Sequence, residues 1–187
     1  MRSKVVLVLL LLIFSSNCFA QVHFAAKRQG HSFSVGGGMD YWSADWANTW
    51  KYGPAAWATA DLWHGVGVIA EGHGLITGGN KIPQYKYYEG GGGLVYAIDR
   101  FRNYRPYVKA ELGVGSLSFP RYSPTYSHDS RTTYFFGGGL ERRAVGHIWI
   151  RGDWTYDIFP NFYSKESKRN HDLNPAGATV GASWHFR

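Results

Sequence analysis

Cysteine is nearly absent from this chain of 187 residues, and the only one, Cys18, lies among its first twenty. A domain with a single cysteine closes no disulfide and builds no Cys-based metal site, so its fold must be held by other means. Long apolar runs are equally scarce. The clearest, Val5 to Phe14, spans ten residues, about half of the roughly 20 that a transmembrane helix needs. After it, no window is apolar enough to cross a bilayer as a helix, and helical periodicity is missing throughout, which excludes a helical bundle. No spacing of histidines and carboxylates points to a metal site, and the glycine runs precede no helix, so no phosphate-binding loop is expected. No cofactor is expected.

The first twenty residues read as a separate unit. Arg2 and Lys4 make a basic start, Val5 to Phe14 an apolar run, and Cys18-Phe19-Ala20 a cleavage site with small residues. Together these read as a secretory signal cut after Ala20. The residues before Cys18 lack the aliphatic and small residues of a lipoprotein signal, so the cysteine is expected to leave with the peptide. Losing Arg2 and Lys4 lowers the formal net charge from +7 to +5. Such a mildly basic balance permits contact with anionic lipid or lipopolysaccharide phosphates, although a solvated surface explains most of it. No nucleic-acid motif accompanies it, and nucleic acid is not an expected partner.

Glycine and aromatic residues are abundant: 24 glycines, with aromatics at 17% of the chain. They fall into alternating segments, the hallmark of strands, whose successive side chains point to opposite faces. The last stretch shows it best. Ala176, Ala178, Val180, Ala182, Trp184 and Phe186 form one set, and Gly177, Thr179, Gly181, Ser183 and His185 the other. Its length, twelve residues from Pro175 to Phe186, suits a tilted membrane strand of about 9–11.

Seven further segments behave alike: 32–42, 54–63, 66–75, 85–98, 106–117, 132–143 and 147–159. In 66–75, Ile69 breaks the alternation. Between the segments, long loops (43–53, 76–84, 118–131, 159–174) alternate with short turns at His64-Gly65, 99–105 and 144–146. An even strand count with all long loops at one end is what an up-and-down barrel requires. A soluble lipocalin-like barrel of eight strands would show similar segments with the faces reversed. The polar face decides against it, because it carries Gly36, Gly38, Gly91, Gly93, Gly113, Gly115, Gly137, Gly139, Gly177 and Gly181 among balanced acids and bases. A wet exterior is usually rich in Lys and Glu and poor in glycine, whereas a narrow lumen, where space is short, favours glycine. The expected fold is all-β, an eight-stranded antiparallel up-and-down transmembrane β-barrel over residues 31–187. A short polar leader, 21–30, precedes it in the periplasm.

The signal peptide, the eight segments and the closing A-G-A-T-V-G-A-S-W-H-F resemble the small outer-membrane β-barrel family, the OmpA/OmpX-like eight-stranded porin-type domains. The resemblance implies the outer membrane of a Gram-negative-type envelope, termini in the periplasm, four external loops and a monomer. It also implies recognition of the C-terminal strand by the barrel-assembly machinery. Here the usual terminal aromatic, Phe186, is penultimate and Arg187 follows.

Three functional readings remain. Asp40, Asp61, Glu71, Glu89, Lys109, Glu111, Glu141, Arg143, Arg151, Asp153 and Asp157 all fall on the inward face and form a candidate lumen charge network. A buried charge must be paired, and eight strands leave an interior that side chains just fill. A polar plug is therefore favoured over a narrow pore for small solutes. In the loops, Trp46, Trp50, Tyr122, Tyr126, Lys165, Lys168 and Arg169 suit surface contact, adhesion or lipopolysaccharide binding. Alternatively, some of these aromatics only anchor the barrel. Some small outer-membrane barrels modify lipid A, and His171, Asp172, Ser164, Glu166 and Ser167 share one loop here. No His-x-Ser pair is expected inside a strand, since His128-Asp129-Ser130 reads as loop, and catalysis is the minor reading.

Overall fold

The computed structural model describes residues 32–44, 49–76, 86–98, 103–118, 128–164 and 169–186. The signal peptide and leader expected at 1–30 lie outside them. Nine strands form in chain order: β1 Phe33–Ala44, β2 Thr49–Trp63, β3 Val66–Ile76, β4 Lys86–Ala97, β5 Tyr104–Ser118, β6 His128–Val145, β7 Ile148–Ser164, β8 Arg169–Leu173 and β9 Ala176–Phe186. Every neighbouring pair is antiparallel, and the sheet closes because β9 pairs with both β1 and β7. β8 is a short arm that pairs only with the upper part of β7, ahead of Pro175. The barrel wall itself is eight-stranded, with β9 as its eighth strand.

Alternation dictates the faces. Along β1, Val35, Met39 and Tyr41 are exposed while Ser34, Asp40 and Trp42 are buried. The same inversion runs around the barrel, so most of its large exposed side chains are apolar and many of its buried ones charged. A lipid-facing wall explains that pattern; a water-facing wall does not. The β2–β3 turn, His64-Gly65, has positive φ at both residues (47° and 83°), the twist that matches a two-residue hairpin and that glycine adopts without strain.

Strand lengths depart from the sequence reading. β6 has 18 residues and β7 has 17, well beyond the roughly 9–11 that cross a bilayer. The expected loops at 43–53, 118–131 and 159–174 are therefore shortened from both sides. Above the membrane the outward face no longer needs to be apolar, so the strand continues where the alternation cue fades.

Ile69 also finds its explanation. It does not break the strand but points inward, packed with Val95, Ala97 and Tyr107. This apolar group packs inside the lumen toward the end carrying the short turns.

Candidate functional site

The lumen is built from residues that period-2 geometry sends inward from every strand. Around its middle, Thr179 Oγ1 donates to Asp40 at 2.7 Å, and Asp40 Oδ2 lies 2.9 Å from His73 Nδ1. The other ring nitrogen of His73 faces Glu71 at 3.5 Å and Glu89 at 4.0 Å. Glu71 then takes both Lys109 and Arg151. Arg151 Nε donates to Asp153 at 2.7 Å, as does the Tyr107 hydroxyl. Lys109 Nζ also lies 3.4 Å from Asp153 and 3.7 Å from Glu111. The network thus runs through β9, β1, β3, β4, β5 and β7 and fastens most of the circumference across its own interior.

Aromatic rings fill the space between the charges. The Arg151 guanidinium lies 4.5 Å from the Trp57 ring centre and 5.0 Å from that of Tyr107, a cation held between two π faces. Nearer the turns, Arg105 joins Asp61 and Glu141, the latter at 3.5 Å, and Asp61 also accepts from Ser32. Toward the loops, Tyr87 donates to Glu89 and packs against Phe159 at 5.6 Å between centroids. Asp157 is fully buried beside Glu89. A small residual cavity bordered by Thr59, Ile69, Arg105 and Glu141 leaves room for about one water. Side chains thus take up most of the described interior.

Ten of the eleven candidate network residues take their expected place: Asp40, Asp61, Glu71, Glu89, Lys109, Glu111, Glu141, Arg151, Asp153 and Asp157 all face inward, Asp61 being half-buried. Arg143 does not. It is exposed, and its Nε donates to the Gly146 carbonyl at 2.9 Å. Its parity is right for the lumen, but it lies beside an irregularity in the β6–β7 register, at the rim where the wall ends. Beyond the candidates, the lumen also holds the rings of Trp42, Trp57, Phe135 and Phe159 and three polar groups, Arg105, Lys51 and Tyr107. Arg105 looked like part of a basic connection, Lys51 like part of a loop, and Tyr107 was not singled out; all three are buried. Each stands an even number of residues from a strand position already read as inward, which is the signal that would have found them.

At the loop end, Trp50 is a correction: it belongs to β2, not to a loop, and its ring stacks on Tyr41 at 4.6 Å with planes 7° apart. Pairing in register carries this belt onward, from Tyr41 to Tyr52, then Ile76 and Lys86. Arg169 opens β8, and Ser164 closes β7. His171 and Asp172 also lie in β8 rather than in a loop. His128-Asp129-Ser130 begins β6, so a His-x-Ser pair does sit on a strand. Trp46, Tyr122, Tyr126, Lys165 and Lys168, with Glu166 and Ser167, lie outside the described residues.

Residues 6–186 match the family described as the outer membrane protein beta-barrel domain. The chain belongs to this family. It is accordingly a protein of the outer membrane. Among solved structures it is similar to the Neisserial surface protein A, NspA, at 13% identity and a TM-score of 0.64, covering 84% of this chain and 98% of that one. It is similar to Ail, the attachment invasion locus protein of Yersinia pestis, at 18% identity and a TM-score of 0.54, covering 83% and 97%. The N-terminal beta-barrel domain of Pseudomonas aeruginosa OprF aligns at 14% identity and a TM-score of 0.55, covering 84% and 98%. At such identities the likeness is one of fold. A search of curated proteins returned no match. In outer-membrane barrels the short turns face the periplasm and the longer loops the exterior. The Tyr41–Trp50 belt therefore lies toward the outer leaflet, and the Arg143 rim toward the periplasm.

Proposed function

We propose that this outer-membrane barrel acts by contact at its external end, without catalysis and without passing solutes, and that its partner there is lipopolysaccharide. The sealed lumen carries the reading: with its interior taken up by ion pairs and rings, the barrel has its chemistry to offer only on the outside. The outer belt supplies that chemistry. The faces of Tyr41, Trp50 and Tyr52 suit sugar rings, and Lys86 suits a phosphate. Support for an anionic sugar also comes from Ail, 20% identical, whose structure has been solved in complex with the heparin analogue sucrose octasulfate.

The test is titration of the refolded barrel, held in phosphatidylcholine nanodiscs, with purified lipopolysaccharide. Trp50→Ala and Lys86→Gln should each weaken binding about five- to tenfold, the range of one stacked or cationic contact. Unchanged affinity in both variants overturns the reading. Planar-bilayer recordings should show no stepwise conductance, and stepwise current would restore the pore. A second reading has one observation in its favour, the placement of His128 and Ser130 two apart on β6. Lipid A mass spectra of cells with and without the protein should be identical. Loss or gain of an acyl chain would make these two residues the first to change.

A further inference from the structure

We propose that the periplasmic rim holds a binding site for the phosphate of an anionic glycerophospholipid, centred on Arg142. By alternation Arg142 shares the lipid-facing side of β6 with Leu140 and Phe136, and it is exposed. In register it stands between Tyr104 of β5 and Ile150 of β7. Its guanidinium lies 5.3 Å from the Tyr104 ring centre, and among the described residues no carboxylate pairs with it. That sets it apart from the arginines of the lumen, Arg105 and Arg151, which each meet two acids. An arginine on a lipid-facing wall is tolerated near an interface, where a headgroup supplies the counter-charge.

The neighbours complete the site. Arg143 follows Arg142 on β6 with the opposite parity, but it is exposed at the rim, where its Nε donates to the Gly146 carbonyl, and it too has no carboxylate among the described residues. His147 Nδ1 donates to the His185 carbonyl at 2.9 Å, and its ring stacks on Trp184 at 5.4 Å. Basic groups with aromatic flanks are thus gathered on one hairpin, and the adjacent acid, Glu141, is buried on the lumen side with Arg105. One register step above Arg142 is a depression in the wall. Gly152 lies between Leu140 and Val180, and a methyl group added there would meet nothing within 4 Å.

These features match the parts of a lipid. The phosphate lies on Arg142 and Arg143, the glycerol level is flanked by Tyr104 and Trp184, and an acyl chain starts over Gly152. Charge selects the headgroup. A zwitterionic lipid would bring its ammonium toward these basic groups, whereas an anionic one adds only negative charge. The site lies in the leaflet opposite the Tyr41–Lys86 belt, so it stands or falls independently of lipopolysaccharide binding.

The experiment uses the refolded barrel in phosphatidylcholine vesicles carrying a trace of spin-labelled phosphatidylglycerol or spin-labelled phosphatidylcholine. Electron spin resonance reads the fraction of each that the protein immobilises. The wild type should prefer the anionic label, and Arg142→Gln with Arg143→Gln should lower that preference about fivefold per cation removed. Lys86→Gln, at the other mouth, should leave it unchanged. Heat-modifiable gel mobility checks that each variant still closes. If Arg142→Gln fails to close, the single Arg143→Gln, whose side chain is exposed at the rim, must still lower the preference. Equal immobilisation of both labels by the wild type overturns the proposal. So does a preference that survives the arginine changes or that follows Lys86.

Discussion

Glycines on the two faces of this barrel answer to different constraints. Facing the lumen, Gly36 and Gly181 lie beneath the Trp57 ring, Gly177 beneath Trp42, Gly91 and Gly113 beneath Phe135, and Gly115 beneath Phe159. A methyl group at any of these would overlap a ring. Facing outward, Gly72 and Gly90 are roomy: an added methyl would come no nearer than 3.8 Å and 3.6 Å to a backbone oxygen. These inward glycines are therefore floor space for rings that fill the lumen, whereas Gly72 and Gly90 are not needed for internal packing. The lumen is short of volume, whereas the lipid face is bounded by a fluid that adapts.

The largest effect expected from this difference comes from emptying the lumen of a charge. Arg151→Leu leaves Lys109 as the one cation shared by buried Glu71 and Asp153 among the described ion pairs and should cost about 3–5 kcal/mol. It would be read as a lowered urea midpoint of the refolded barrel, followed by tryptophan fluorescence. An unchanged midpoint would mean that the network does not hold the barrel. Next comes Gly177→Ala, which must push the fully buried Trp42 ring aside. Overpacking of this kind should cost roughly 1–3 kcal/mol in the same assay. The smallest effect belongs to Gly72→Ala on the lipid face, expected within about 0.5 kcal/mol of wild type. If Gly72→Ala were as damaging as Gly177→Ala, the distinction between the faces would fail. If both were silent, the rings would not be seated on the glycines as described.

Much of this was legible from residues alone. The alternation in 147–159 placed Arg151, Asp153 and Asp157 on one face, and the structure keeps all three buried. The rule failed where the wall stops. Arg143 has lumen parity, but at the rim the enclosing wall is gone. Trp50 looked like a loop residue because the alternation cue fades toward the outer end of β2, although the strand itself continues to Thr49. Ile69 looked like an interruption because an apolar residue was expected only outside, yet a lumen can be closed by a greasy patch.

The partners inside the lumen were not legible at all. Arg151 and Glu71 are 80 residues apart, and nothing in either segment points to the other. Which face a side chain takes is a local matter, settled by the two-residue period of an extended backbone, so the sequence by itself determined the wall, its two sides and the polar filling. Which acid meets which base depends on how far each strand slides past its neighbour before the sheet closes. That stagger is a property of the whole ring, and only the tertiary structure decided it.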